Sequence, residues 1–143
     1  MTRILVVDDD PAVRFTLVEA LAAPGREIVD VGSGHEALPH LAEADVVVTD
    51  LAMPGMDGLE LLARARAGDA ASVVVLVTAH GSEKVAVRAM KDGAFDYVAK
   101  PFDVEELRVV IARAVEARML RRAASEHGVD RALGLAVIAE SPA

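Results

Sequence analysis

Five short runs of apolar, largely β-branched residues recur along this chain, and each is followed by a segment whose apolar residues fall at helical spacing. The runs lie near 3–8, 27–31, 45–50, 73–78 and 95–99, and the amphipathic segments near 11–23, 34–43, 58–67, 82–92 and 104–124. Strands separated by helices pair in parallel, because the crossover returns the chain to the edge where the previous strand began. Runs such as Val46-Val47-Val48 and Val73-Val74-Val75-Leu76-Val77 are apolar toward both faces, as in a sheet covered by helices on both sides. The alternation therefore predicts an α/β domain with a doubly wound parallel sheet.

Helix boundaries are marked by their chemistry. Asp10 before Pro11 gives a cap and a first-turn proline, and Ser33 with Glu36 and Asp103 with Glu106 have the spacing of capping boxes. Asp57 before Gly58 reads as a turn or cap residue, and Gly93 as a helix stop. Pro39 falls inside the second helical segment, where it removes a backbone donor, so that helix is expected to kink or to begin late. In the last helix Val104, Leu107, Ile111, Ala114 and Val115 form a stripe that can cover the sheet, but Met119, Leu120 and Ala123 extend it past the reach of so small a domain. That surplus predicts a partner. A break is expected at Gly128, with 121–143 serving as a linker after a domain of residues 1–120.

With 143 residues, 53% of them hydrophobic, the chain can fill one core, and 3% aromatic residues with no Trp leave Val, Leu, Ile and Ala to build it. Cysteine is absent, which removes disulfides and thiolate metal sites. No apolar run approaches the ~18 residues that span a membrane, and Met1-Thr2-Arg3 enters a strand directly, so a soluble, cytoplasmic protein is expected. Residues 1–103 hold 9 Lys and Arg against 17 Asp and Glu, while the remainder holds 6 of each. So acidic a domain is ill suited to phosphate backbones, and direct nucleic-acid binding is not expected.

The strand ends carry the chemistry. The first run ends in Asp8-Asp9, the third in Asp50, the fourth in Thr78, and the fifth leads into Lys100-Pro101. Parallel strands bring these ends to one edge, where open α/β sheets bind ligands. A carboxylate such as Asp50 can attack phosphorus and hold the group as an acyl phosphate. Attack on an anionic donor requires a cation, and Asp8 and Asp9 beside Asp50 offer the oxygen ligands of Mg²⁺. Thr78 and Lys100 supply a hydroxyl and an ammonium for phosphoryl oxygens. His35, His40, His80 and His127 show no metal-ligand spacing and read as surface groups.

Taken together, Ile4-Leu5-Val6-Val7-Asp8-Asp9-Asp10, Thr49-Asp50-Leu51-Ala52-Met53-Pro54-Gly55-Met56-Asp57-Gly58, Val77-Thr78-Ala79-His80 and Tyr97-Val98-Ala99-Lys100-Pro101-Phe102 resemble the receiver domain of bacterial two-component response regulators. The resemblance implies a flavodoxin-like (βα)5 fold with strand order 2-1-3-4-5 and a sensor histidine kinase as phosphoryl donor. It implies Asp50 as phosphoacceptor, and Asp8, Asp9, Asp50 and the backbone carbonyl of Ala52 as ligands of Mg²⁺. Thr78 and Tyr97 would form a switch pair, and the Lys100–Pro101 bond would be cis. Thr78-Ala79-His80-Gly81-Ser82, Ala89 to Ala94 and the terminal Ile138 to Ala143 are similar to regulators that activate transcription with an alternative sigma factor. That likeness implies AAA+ ATPase and DNA-binding domains downstream and a homodimer through the fourth helix, fifth strand and last helix.

Two alternatives differ in testable ways. A haloacid dehalogenase-like phosphatase also uses a strand-end Asp, Mg²⁺, Thr and Lys, but needs a general acid two residues after the nucleophile, where this chain has Ala52. A stand-alone receiver acting only through protein contacts would have no need of the complete acid, Thr and Lys set. Ala52 also leaves no side chain to guide water, so slow self-dephosphorylation is expected.

Overall fold

The structure, a computed structural model, describes residues 1–67, 72–79 and 83–138. Five strands and five helices alternate: β1 (Thr2–Val7), α1 (Pro11–Leu21), β2 (Arg26–Val31), α2 (Gly34–Ala37) with a 3-10 turn over Leu38–His40, β3 (Val46–Asp50), α3 (Gly58–Arg66), β4 (Val73–Thr78), α4 (Glu83–Lys91), β5 (Asp96–Ala99) and α5 (Val104–Ile138). All pairings are parallel, in the order β2-β1-β3-β4-β5. The predicted fold and strand order are those observed. Because β1 lies between β2 and β3, the winding reverses there and opens a crevice at the C-terminal ends of β1 and β3.

Strand alternation divides the core. Leu5, Val7, Val47, Val74 and Leu76 pack with Ala37, Leu61, Leu62, Ala65 and Ala89 under α2, α3 and α4. Ile4, Val6, Val46, Val48, Val73, Val75 and Val77 pack on the other face with Leu17, Leu21, Leu107, Ile111 and Ala114 of α1 and α5. Both faces of β3 and β4 are thus buried, which is why those strands show no polar alternation.

The caps behave as their chemistry dictates. Asp10 Oδ1 accepts from the Ala12 amide at 2.9 Å, Asp57 Oδ1 from that of Glu60 at 2.9 Å and Asp103 Oδ1 from that of Glu105 at 2.8 Å. Ser33 Oγ accepts from the Glu36 amide at 3.1 Å, and the Glu36 carboxylate returns to the Gly32 amide at 3.3 Å. Two helices differ from expectation. α2 closes after Ala37 and passes into the 3-10 turn containing Pro39, whose missing N–H and bulky ring end the α-helical ladder well short of residue 43. α5 runs unbroken through Gly128 and Gly134 to Ile138, because a glycine costs a helix interior only about 1 kcal/mol and good helix formers such as Ala124, Glu126, Arg131 and Leu133 flank these positions. Among the described residues no helix is long and apolar enough to cross a membrane. His80, the predicted helix start Ser82 and the terminal segment 139–143 lie outside the described residues.

At the sheet edge opposite the crevice, Asp45 ties α5 to the strands. Its buried carboxylate accepts from the Arg3 amide at 2.9 Å, from Arg118 Nε at 3.2 Å and from Arg122 Nη1 at 3.3 Å. Replacing Asp45 by Ala should cost about 1–3 kcal/mol, because the Arg3 amide, Arg118 and Arg122 lose the buried carboxylate they share. Arg122 is half exposed, so Arg122→Ala should cost under about 1 kcal/mol. Urea unfolding of the two variants checks the contrast; equal losses would mean that the buried carboxylate is not the anchor.

Candidate functional site

Asp8 follows the last residue of β1, where the chain must turn into α1. Its carboxylate is buried, with Oδ1 accepting from the Asp10 amide at 2.8 Å and Oδ2 from Lys100 Nζ at 3.1 Å. Asp9 beside it is exposed. Asp50 closes β3, with Oδ2 accepting from Lys100 Nζ at 3.3 Å and Oδ1 from the Ala52 amide at 3.3 Å. The backbone of Lys100 is held at the end of β4, where its amide donates to the Thr78 carbonyl at 2.7 Å. The Lys100–Pro101 bond is cis. One carboxylate oxygen from each of Asp8, Asp9 and Asp50 lies within 4.8 Å of the others.

Thr78 is fully buried, and its hydroxyl has no hydrogen-bond partner among the described residues. Such an unmet hydroxyl is costly unless a ligand supplies the partner. Tyr97 in β5 pairs by backbone register with Leu76 and packs half-buried against the α2–α4 side of the core. Ala52 is exposed, two residues past Asp50. The predicted residues of the strand ends therefore converge, with Tyr97 set back on the neighbouring strand.

The electrostatics follow from this crowding of charge. Burial pushes the Asp50 carboxyl above the ordinary carboxylate range; the charge of Lys100 pulls it back and that of Asp8 raises it further. Burial alone would lower the Lys100 ammonium, but its hydrogen bond to Asp8 and the charges of Asp50 and Asp8 hold it above the ordinary lysine value. Three carboxylates gather where a single ammonium pairs with two of them, so excess negative charge remains on hard oxygen donors, which suits a divalent cation of the Mg²⁺ type.

Sequence patterns carry no sign of three supporting residues. Gly58 reads as the residue after a cap, yet a Cβ there would stand 2.5 Å from the Asp50 carbonyl oxygen and 2.8 Å from Leu51 Cα. Its amide donates to the Leu51 carbonyl at 2.9 Å, closing the loop behind Asp50. Gly34 leaves room for Met56, whose Cβ would lie 2.8 Å from a Cβ at that position. Arg14, on the first turn of α1, donates through Nη1 to the Asp8 carbonyl at 2.7 Å. Each role depends on a tertiary approach that no local pattern encodes.

Residues 4–112 match the response regulator receiver domain. The chain belongs to that family. Among curated relatives, Regulatory protein AtoC of Escherichia coli is 40% identical over 124 residues, covering 85% of this chain and 27% of AtoC. The DNA-binding transcriptional regulator NtrC of Salmonella typhimurium is 42% identical over 112 residues, covering 77% and 24%. The C4-dicarboxylate transport transcriptional regulatory protein DctD of Rhizobium meliloti is 36% identical over 148 residues, covering 97% and 31%. The chain thus spans about a quarter to a third of these relatives. A receiver domain protein from Clostridium thermocellum superposes with a TM-score of 0.77 at 31% identity, covering 84% of this chain and 98% of that one. NtrX from Brucella abortus in complex with ADP does so at 0.79 and 32%, covering 87% and 30%. Receiver domains are phosphoacceptor switches.

A raised carboxyl pKa favours the folded receiver below the ordinary value of 3.8, and that contribution is lost as pH rises through the folded-state value. At neutral pH an ionised Asp50 therefore weakens the metal-free domain. Asp50→Asn should stabilise it there, with the gain shrinking on acidification; calorimetric melts across pH without divalent ions check the sign. Gly58→Ala should cost at least about 1–3 kcal/mol, since backbone atoms, not flexible side chains, must give way. A urea midpoint unchanged by that substitution would contradict the close approach.

Proposed function

We propose that a sensor histidine kinase phosphorylates Asp50, and that the new charge switches an output surface formed by α4, β5 and α5. The observation that supports this most is the meeting of Asp8, Asp9, Asp50 and Lys100 beside a buried Thr78 hydroxyl with no partner among the described residues. An Asp50 oxygen forms the new O–P bond as the donor's P–N bond breaks, and the electron pair leaves with the imidazole nitrogen, which takes up a proton. Asp8, Asp9 and Asp50, with the backbone carbonyl of Ala52, would hold Mg²⁺, which when bound offsets repulsion between anionic nucleophile and anionic donor. Lys100, already on Asp50, donates to a phosphoryl oxygen, and Thr78 gains there a partner that it does not have among the described residues. Movement of that hydroxyl leaves space for the half-buried Tyr97 ring, so Thr78 and Tyr97 act as the switch pair.

Turning such a switch from 1:99 to 99:1 needs about 5.5 kcal/mol of differential interaction, within reach of a new dianionic group meeting an ammonium, a hydroxyl and a metal ion. The surface that would respond is unusually apolar: Val85, Val87 and Met90 of α4 and Val109 of α5 are exposed, and Met119 and Leu120 are 61% and 63% exposed. These residues form the homodimer interface. Residues 1–120 are the receiver and 121–143 the linker toward an AAA+ ATPase and a DNA-binding domain of a cytoplasmic activator that works with an alternative sigma factor. The transcription-regulator names of AtoC, NtrC and DctD support that class.

A dehalogenase-type phosphatase has no general acid here, since Ala52 occupies its place. The same alanine leaves water unguided, so the acyl phosphate should be long-lived. Incubation with acetyl phosphate and Mg²⁺ should add one phosphoryl group by intact mass, and Asp50→Asn or chelation of the metal should abolish it. Full incorporation in the asparagine variant would refute the assignment.

A further inference from the structure

We propose that Arg14 is a positioning residue for the cation site, acting through the peptide that joins Asp8 to Asp9. This deepens the phosphoacceptor reading and rests on it. Nη1 of Arg14 donates to the Asp8 carbonyl at 2.7 Å, and its Nε pairs with Asp30 Oδ2 at 3.2 Å, at the end of β2. The carbonyl that Arg14 holds belongs to the peptide plane leading directly to the Cα of Asp9, so fixing that plane fixes the relation between the two acids. The Asp8 amide is held separately, donating to the Val31 carbonyl at 3.2 Å. Asp8 is thus gripped at both backbone ends while its carboxylate faces Lys100 and the Asp10 amide.

The guanidinium is suited to this task because its planar fork serves two acceptors in one geometry, which a lysine ammonium on a flexible stem does not. Gly32 keeps the approach open: a Cβ there would stand 3.2 Å from Nη1, so the group would have to give by a few tenths of an ångström. A merely structural role explains less. Asp30 is 47% exposed, and an ion pair in such a setting adds little to stability. The charge-assisted bond to the Asp8 carbonyl is short and only partly exposed, and it bears on the one turn where two acids must be aimed.

The test is titration calorimetry of Mg²⁺ alone into the 143-residue chain, paired with labelling by acetyl phosphate. Arg14→Gln should raise the Mg²⁺ dissociation constant on the order of tenfold, as loss of groups that orient metal ligands does. Arg14→Lys should recover only part of the loss and Asp30→Asn should show a smaller one, whereas saturating Mg²⁺ should restore labelling in Arg14→Gln. Wild-type Mg²⁺ affinity in Arg14→Gln would overturn the inference. So would an equal loss of affinity in Leu17→Ala, a core variant of the same helix that destabilises without touching Asp8. If wild type binds Mg²⁺ and Arg14→Gln weakens it but Asp50 takes no label, the phosphoacceptor reading fails and the positioning role stands. If wild type is labelled and Arg14→Gln binds Mg²⁺ unaltered, the positioning role fails and the phosphoacceptor reading stands.

Discussion

Two carboxylates from different strands sharing one ammonium set the terms for everything else in this domain. Asp8 and Asp50 approach Lys100 at 3.1 and 3.3 Å in a largely buried crevice, with Asp9 at its exposed rim. Lys100 partly offsets the repulsion and leaves a residue of negative charge that a divalent ion can cancel. The balance is poised: burial works against the ionised form of Asp50, and the Lys100 charge works for it. A site fully neutralised by protein groups would have no use for a cation, and one without Lys100 would be expensive to fold.

Holding that arrangement requires a rigid support, and the parallel sheet provides it. Burial on both faces of β3 and β4 leaves those strands no freedom to slip, because a one-residue shift would exchange the two core clusters. The loop after Asp50 is drawn in by the Gly58 amide and by buried Met53 and Met56, so the backbone of Asp50 is fixed from behind. At the opposite edge Asp45 binds α5 to the strands through Arg118 and Arg122, which gives the long helix a fixed point within the receiver.

Much of this was legible in the sequence. Strands announced themselves through Val-rich runs, and strand order followed from the family resemblance carried by Asp50, Thr78 and Lys100. The parts that were not legible share one cause: they depend on approach distances across the fold. Gly58 shows only a helix-start signature in sequence, although its real constraint is the backbone of Asp50. Arg14 is one more basic residue on an amphipathic helix until the structure places it on the Asp8 carbonyl. Helix lengths failed in both directions, since Pro39 ended α2 early while Gly128 did not stop α5, the steric clash of proline being far stronger than the entropic cost of glycine.

In the proposed switch, the charge at Asp50 reaches the exposed apolar residues of α4 and α5 through the Thr78 and Tyr97 positions on adjacent strands. All of that depends on where the covalent bond forms. Borohydride reduces an acyl phosphate to the alcohol, so treating the phosphorylated domain and mapping its peptides reads the acceptor directly. Homoserine at position 50 alone is the predicted result; homoserine at position 8 or 9, or none with the phosphoryl group still attached, would contradict the account.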